Sequence, residues 1–195
     1  MEMGNITELL KKRASVRKFQ TRPVPRVVLD DILEAGRLSP SGGNEQPWRF
    51  GVITAPGLIA EIAQIAYCQA WMARAPLLIV LCSVFVEDVH GGRDIQLQRF
   101  PQQAQVIAGM DRELYWGLNQ EEHQTKIAGT HMVLAALEHG LGSCWVSRFE
   151  VRPLARLLKL PEIVLPAEIL VLGYPEAQPG PIPKKSLEEI AFYNV

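Results

Sequence analysis

Ser39-Pro40-Ser41-Gly42-Gly43-Asn44-Glu45-Gln46-Pro47-Trp48-Arg49-Phe50 is the stretch on which the reading of this chain turns. Two prolines and two adjacent glycines bar a helix or strand from it, so it is a loop. Its hydroxyl and amide side chains both donate and accept hydrogen bonds, on a backbone that bends freely. Planar heterocycles require that mixture around their edges. An ordinary helix-to-strand connection, with Trp48 packed as core, accounts for the same residues.

Upstream of the loop, Pro25 suits the first turn of a helix in which Val28, Ile32, Leu33 and Ala35 form an apolar stripe up to about Leu38. Nearer the start, Ile6, Leu9 and Leu10 predict a short amphipathic helix ending near Arg13, with Asn5 and Glu8 spaced as a capping box. Between the two helices runs Arg13-Ala14-Ser15-Val16-Arg17-Lys18-Phe19, with Arg22 beyond. Cations with a hydroxyl among them suit a phosphate monoester. A solvated basic face is the plain alternative.

Downstream, residues 50–54 and 77–84 are short apolar, partly β-branched runs that predict strands, with a helix over 57–66. Residues 86–122 include a Gln-rich stretch of weak periodicity and predict helical pieces. Residues 121–139 predict a helix that is apolar on nearly every side after Lys126, through Ile127, Met132, Val133, Leu134, Ala135 and Leu137. Such a helix belongs inside the molecule or between two copies of it. Gly140-Leu141-Gly142 ends it; residues 143–147 predict a strand, 152–160 a helix, 169–173 a strand and 175–183 an extended Pro-rich arm. The order predicts an α+β fold, a central mixed or mainly antiparallel sheet wrapped by helices, with residues 1–195 as one domain.

Composition narrows the function. With 20 Lys+Arg against 21 Asp+Glu, the chain has no general attraction for nucleic acid or an acidic membrane. No apolar run approaches the roughly 20 residues that span a bilayer, so a cytoplasmic location is expected. Cys68, Cys82 and Cys144 are widely spaced in apolar surroundings and read as buried, reduced thiols. Gly140-Leu141-Gly142 follows a helix and lacks a third glycine, which argues against a dinucleotide fingerprint. Phosphate-loop and serine-hydrolase motifs are missing from the sequence. His123, His131 and His139 are each turned about 80° from the last around a helix, so no shared metal is expected. Glu121 and Glu122 could supply carboxylates, but two acids at the start of a helix more often offset the positive end of its dipole.

Taken together, residues 13–19, Pro23-Val24 and residues 39–50 closely resemble the opening of the FMN-dependent nitroreductase family. Leu134-Ala135-Ala136-Leu137-Glu138-His139-Gly140-Leu141-Gly142-Ser143-Cys144-Trp145 resembles that family's central helix and flavin-edge strand. Residues 169–175 and Lys184-Lys185-Ser186-Leu187-Glu188-Glu189 resemble its closing strand and basic tail. Segments in the right order are more specific than any one of them.

The resemblance implies a homodimer holding FMN, reduced by NADH or NADPH and oxidised by a small electron acceptor such as a nitroaromatic or quinone, in ping-pong order at one flavin face. Arg13, Ser15 and Arg17 would hold the phosphate and ribityl end, with a further cation from Lys184 or Lys185. Pro40, Ser41, Asn44 and Gln46 would lie along the isoalloxazine, across the subunit boundary. The flavin carries the redox chemistry, so no catalytic side chain is nominated. Within residues 88–116, Phe100, Tyr115 and Trp116 are candidate stacking groups of a substrate cover, or packing between copies. Two departures stand out: Ala14 replaces the family's usual Arg or His, and Ser147-Arg148 replaces a small residue, usually Gly, near the flavin. Flavin fragmentation and substrate dehydrogenation are the alternative outputs of the same fold. A non-catalytic anion- or nucleic-acid-binding module is the alternative class.

Overall fold

Leu77–Val84 is apolar at almost every position because both its faces are covered, and it forms a central strand, β2. The other strands are β1 (Trp48–Ile53), β3 (Gly142–Val146) and β4 (Val164–Gly173). They form a four-stranded sheet in the order β1-β2-β4-β3, and every neighbouring pair is antiparallel. The computed structural model describes residues 6–84, 92–111, 114–115, 124–180 and 182–193. Within these, the one parallel contact is the bridge from Ser15 to Ser143 on the outer side of β3.

The helices are α1 (Ile6–Lys12), α2 (Arg26–Arg37), α3 (Pro56–Ile65), α4 (Gly92–Arg99), α5 (Ala104–Gly109), α6 (Thr125–Glu138), α7 (Val151–Leu157) and α8 (Leu187–Ile190). Alternation along β4 divides the core between two layers. Ile169 and Val171 pack with Ile59, Ile62 and Leu154 of α3 and α7. Leu170 and Leu172 pack with Leu29, Ile32, Met132 and Val133 of α2 and α6. Helix α6 lies close to the sheet: a Cβ at Gly129 would stand 2.4 Å from Leu81 Cδ1 and 2.6 Å from Trp145 Cη2. Ile127, on its other side, remains 41% exposed.

Several boundaries shift from the expected ones. Strand β4 begins at Val164, five residues early, because Pro166 sits where the ladder to β2 slips its register and loses no needed hydrogen bond. Glu168 beside the slip is buried; one carboxylate oxygen accepts from Lys126 Nζ at 2.9 Å and the other has no hydrogen-bond partner among the described residues. Helix α7 ends at Leu157, before a turn in which Lys159 takes φ 53°. The expectation for Cys68 is corrected: it is exposed, because the chain turns sharply after α3 with Tyr67 and Cys68 both left-handed. Cys82 and Cys144 are buried and unpaired. Asn5, Glu121, Glu122 and His123 lie outside the described residues. No helix among the described residues is long and apolar enough to cross a membrane.

Candidate functional site

The basic segment is extended. Ala14 and Val16 are buried while Ser15 and Arg17 are exposed, so Arg13, Ser15 and Arg17 share one side of the chain. Val16 N–H donates to Ser143 O at 2.9 Å, seating the segment against β3. Gly142 permits this approach, since a Cβ there would lie 2.6 Å from Val16 Cγ2 and 2.8 Å from Val16 Cβ. Ala14 is buried, on the other side of the segment from Ser15 and Arg17.

Arg13, Ser15 and Arg17 act on the thiol of Cys144. Burial raises that thiol's pKa, and Arg17, a hydrogen bond with Ser15, and Arg13 each oppose the rise. Among the described residues, neither Arg13 nor Arg17 is paired with a carboxylate. Arg17 lies 5.9 Å from the ring centre of Trp71, in the 3₁₀ turn Ala70–Arg74. Two uncompensated guanidinium groups flanking a hydroxyl fit a phosphate dianion. A cavity of about 440 Å³ opens at Arg13, with Lys12, Ala14, Val16, Gly142 and Ser143 also in its wall; Ser15 and Arg17 do not line it.

The polar loop is shaped from within and held from behind. Gly43, Asn44 and Gln46 take φ 55°, 59° and 50°. Gln46 N–H donates to Ser41 Oγ at 2.9 Å, and Gln46 Nε2 lies 3.3 Å from Asn44 Oδ1. Pro40, Asn44 and Gln46 are exposed and Ser41 is half-buried. Gln46 also borders a groove of about 590 Å³ formed with Arg37, Trp48 and Phe50. Behind the loop, Gly42 N–H donates to Gln124 Oε1 at 2.9 Å, and Thr125 Oγ1 donates to Pro47 O at 3.5 Å. Ser39 Oγ and His131 Nδ1 are 2.7 Å apart. Sequence reasoning missed these three supports. Polar residues at one end and in the middle of an otherwise apolar helix were the available signal.

The basic segment and the polar loop do not meet within one chain. Ser143, which seats the segment, pairs with Leu172 of β4, and Leu77 of β2 pairs with that same Leu172 from the other side. Val84, at the far end of β2, donates its N–H to Pro47 O in the loop. From Leu77 to Val84 is about 24 Å at the usual rise of a strand. Helix α6 gives a similar span: it starts at the loop and ends beside Gly140.

Lys184 and Lys185 are exposed on the tail, which leaves the basic segment where Phe19 bridges Pro175. No described contact joins either lysine to Arg13 or Arg17. Phe100 is 48% exposed. Tyr115 stacks with Arg93, whose guanidinium lies 4.4 Å from its ring centre. Arg93 Nη1 also donates to Ile107 O at 2.9 Å and Met110 O at 3.0 Å, closing the end of α5 and joining α4 to it. Trp116 lies outside the described residues, and among those described no group of His, Cys, Asp and Glu could hold a metal.

An antiparallel sheet between helical layers, with a phosphate-fitting strand at one end and a polar loop at the other, defines an α+β protein of the nitroreductase-like fold. The family model for the nitroreductase family matches residues 10–174, and the chain belongs to that family. A protein of Methanothermobacter thermautotrophicus, provisionally named NADH dehydrogenase/NAD(P)H nitroreductase, is 29% identical over 180 residues, covering 90% of this chain and 80% of its own. The FMN reductase [NAD(P)H] of Bacillus subtilis is 26% identical over 196 residues, covering 96% of this chain and 73% of its own. In the solved structure of a B. subtilis nitroreductase the fold recurs with a TM-score of 0.76 at 20% identity, over 98% of this chain and 74% of that one.

Proposed function

We propose that this chain is an FMN-dependent oxidoreductase that takes hydride from NADH or NADPH and reduces a small acceptor such as a nitroaromatic or quinone. The carrying observation is the face shared by Arg13, Ser15 and Arg17, cationic and without a carboxylate partner among the described residues. Bound there, FMN would supply the redox chemistry, two electrons taken from the donor and delivered to the acceptor with protons drawn from water. Arg13 and Arg17 neutralise the phosphate and Ser15 donates its hydroxyl proton to a phosphate oxygen. Lys184 or Lys185 adds a further cation from the tail.

The polar loop serves the ring of the cofactor held by a second copy. About 24 Å separates it from the phosphate-binding face of its own chain, whereas a two-fold homodimer sets each loop against the partner's basic segment. The bond from Gln46 N–H to Ser41 Oγ fixes the turn. Asn44 and Gln46 then present their amides to the edge of the isoalloxazine, with Pro40 packing on it. Phe100, Tyr115 and Trp116 belong to a cover over the acceptor. The cytoplasm, which holds both nicotinamide donors, is the expected location.

Absorption spectra of the purified protein, recorded before and after anaerobic NADH or NADPH, test this reading. Flavin bands that bleach with either donor support it. Bands that neither donor bleaches turn the reading toward substrate dehydrogenation or flavin fragmentation. A colourless protein that takes up no added FMN sinks it.

A further inference from the structure

Tyr67 and Cys68 are consecutive non-glycine residues at φ 56°, a conformation that side chains resist and glycine adopts freely. The turn is pinned by Cys68 N–H to Gln64 O at 3.2 Å and Gln69 N–H to Ala63 O at 3.1 Å. A simple reversal of the chain would be made more cheaply by glycine. What the strained backbone does is hold the Tyr67 ring 52% exposed, with the Arg148 guanidinium 4.7 Å from its centre. Two further bonds tie the segment after β3 to this turn: Gln69 Nε2 to Arg148 O at 3.4 Å and Glu150 N–H to Ile65 O at 3.3 Å. Backbone strain of this kind gathers where a site needs a group in a fixed place.

The turn also borders the cationic face already described, because Trp71 beneath Arg17 belongs to its continuation. Two arginine–aromatic pairs thus flank one turn. Arg148 follows Cys144 by four residues, about 13 Å of extended chain, and β3 runs from the Leu172 end of the sheet toward its loop end, so Arg148 stands past the phosphate-fitting face on its loop side. Among the described residues Arg148 has no carboxylate partner. An arginine held by a ring instead of by a carboxylate keeps its charge and its donors available to an anion.

We infer that Tyr67 and Arg148 form a subsite for the adenosine diphosphate end of the nicotinamide donor. Arg148 donates to a phosphate oxygen, and Tyr67 fixes the guanidinium and offers aromatic surface to the adenine. The inference rests on the reading of the chain as an NAD(P)H oxidoreductase.

The test compares NADH with reduced nicotinamide mononucleotide, which lacks the adenylate, on the FMN-loaded enzyme, and measures 5′-ADP binding by calorimetry. Arg148→Ala should raise the KM for NADH and the Kd for ADP about tenfold, roughly one charge-assisted hydrogen bond. Its loss of kcat/KM with NADH should exceed its loss with the mononucleotide by about fivefold or more. Tyr67→Gly should weaken ADP binding while raising Tm, because it relieves the left-handed strain. Equal losses on both donors, or unchanged ADP binding in Arg148→Ala, would overturn the subsite. A parent protein that binds ADP but no FMN would instead overturn the flavin reading, so the two failures are distinguishable.

Discussion

Arg17 has two roles to separate: it lies over Trp71 and it faces outward beside Ser15. If it bonds the cofactor's phosphate, Arg17→Ala weakens FMN binding by about 1.5–3 kcal/mol in a fluorescence titration. Unchanged affinity would remove Arg17 from the site. Gly142→Ala probes the same segment from behind. Its methyl group would meet the branched Cβ of Val16, which has no room to swing away, so FMN affinity and urea midpoint should fall together. The thiols divide by environment. In the folded chain a water-soluble disulfide reagent should label Cys68 at once and leave Cys82 and Cys144 protected. Burial pushes the Cys82 thiol from 9.0 up to about 12. Below pH 9 the folded and unfolded chains both keep this proton, so its contribution is complete there. As pH climbs from 9 toward 12 the unfolded chain alone loses it, and stability falls. The urea midpoint should therefore decline above pH 9 less steeply in Cys82→Ala than in the parent. Equal slopes would refute the assignment.

At the scale of elements, α6 depends on one glycine more than on another. A methyl at Gly129 meets the rigid indole of Trp145, so Gly129→Ala should cost about 1–3 kcal/mol in chemical denaturation. A methyl at Gly36 meets the flexible end of Met132, so Gly36→Ala should stay within about 1 kcal/mol of the parent. The buried Glu168 sets a third expectation. Lys126→Met, which strips the nearer oxygen of its donor, should destabilise by about 3 kcal/mol, and replacing Glu168 with Leu as well should recover most of it. Strands β1 and β2 and helices α2 and α3 were legible in the sequence because their apolar spacing is regular and proline or glycine punctuates them. The start of β4 was not: Pro166 reads as a breaker until its place at a slipped register is known. Nor was the sharp turn at Tyr67, where neither residue carries a turn signature.

For the whole molecule, sheet order is the property that composition and periodicity leave open. Each half of the candidate site could be read from its residues. Their placement at opposite ends of β2 could not, since that follows from β4 lying between β2 and β3. The separation makes a strong prediction about mixtures. If the proposed homodimer forms, Arg17→Ala damages the basic segment and Asn44→Ala the loop, so each homodimer of either variant should hold two impaired sites. Unfolding and refolding the variants together should produce mixed dimers, each with one intact and one doubly impaired site, and recover about a quarter of parental activity. No recovery would mean that both residues serve the same site from a single chain.

Helix α6 touches the loop at Thr125 and runs out beside Gly140, next to the glycine that seats Val16. It is therefore a gauge that fixes how far apart the two half-sites stand. Adding or deleting one residue within it would rotate one end by about 100° against the other and put both out of alignment at once. Its length is the dimension this architecture is least able to vary. Helices α4 and α5, fastened to one another through Arg93, are not caught between those two fixed points. Lengthening or trimming that pair would leave the gauge unchanged.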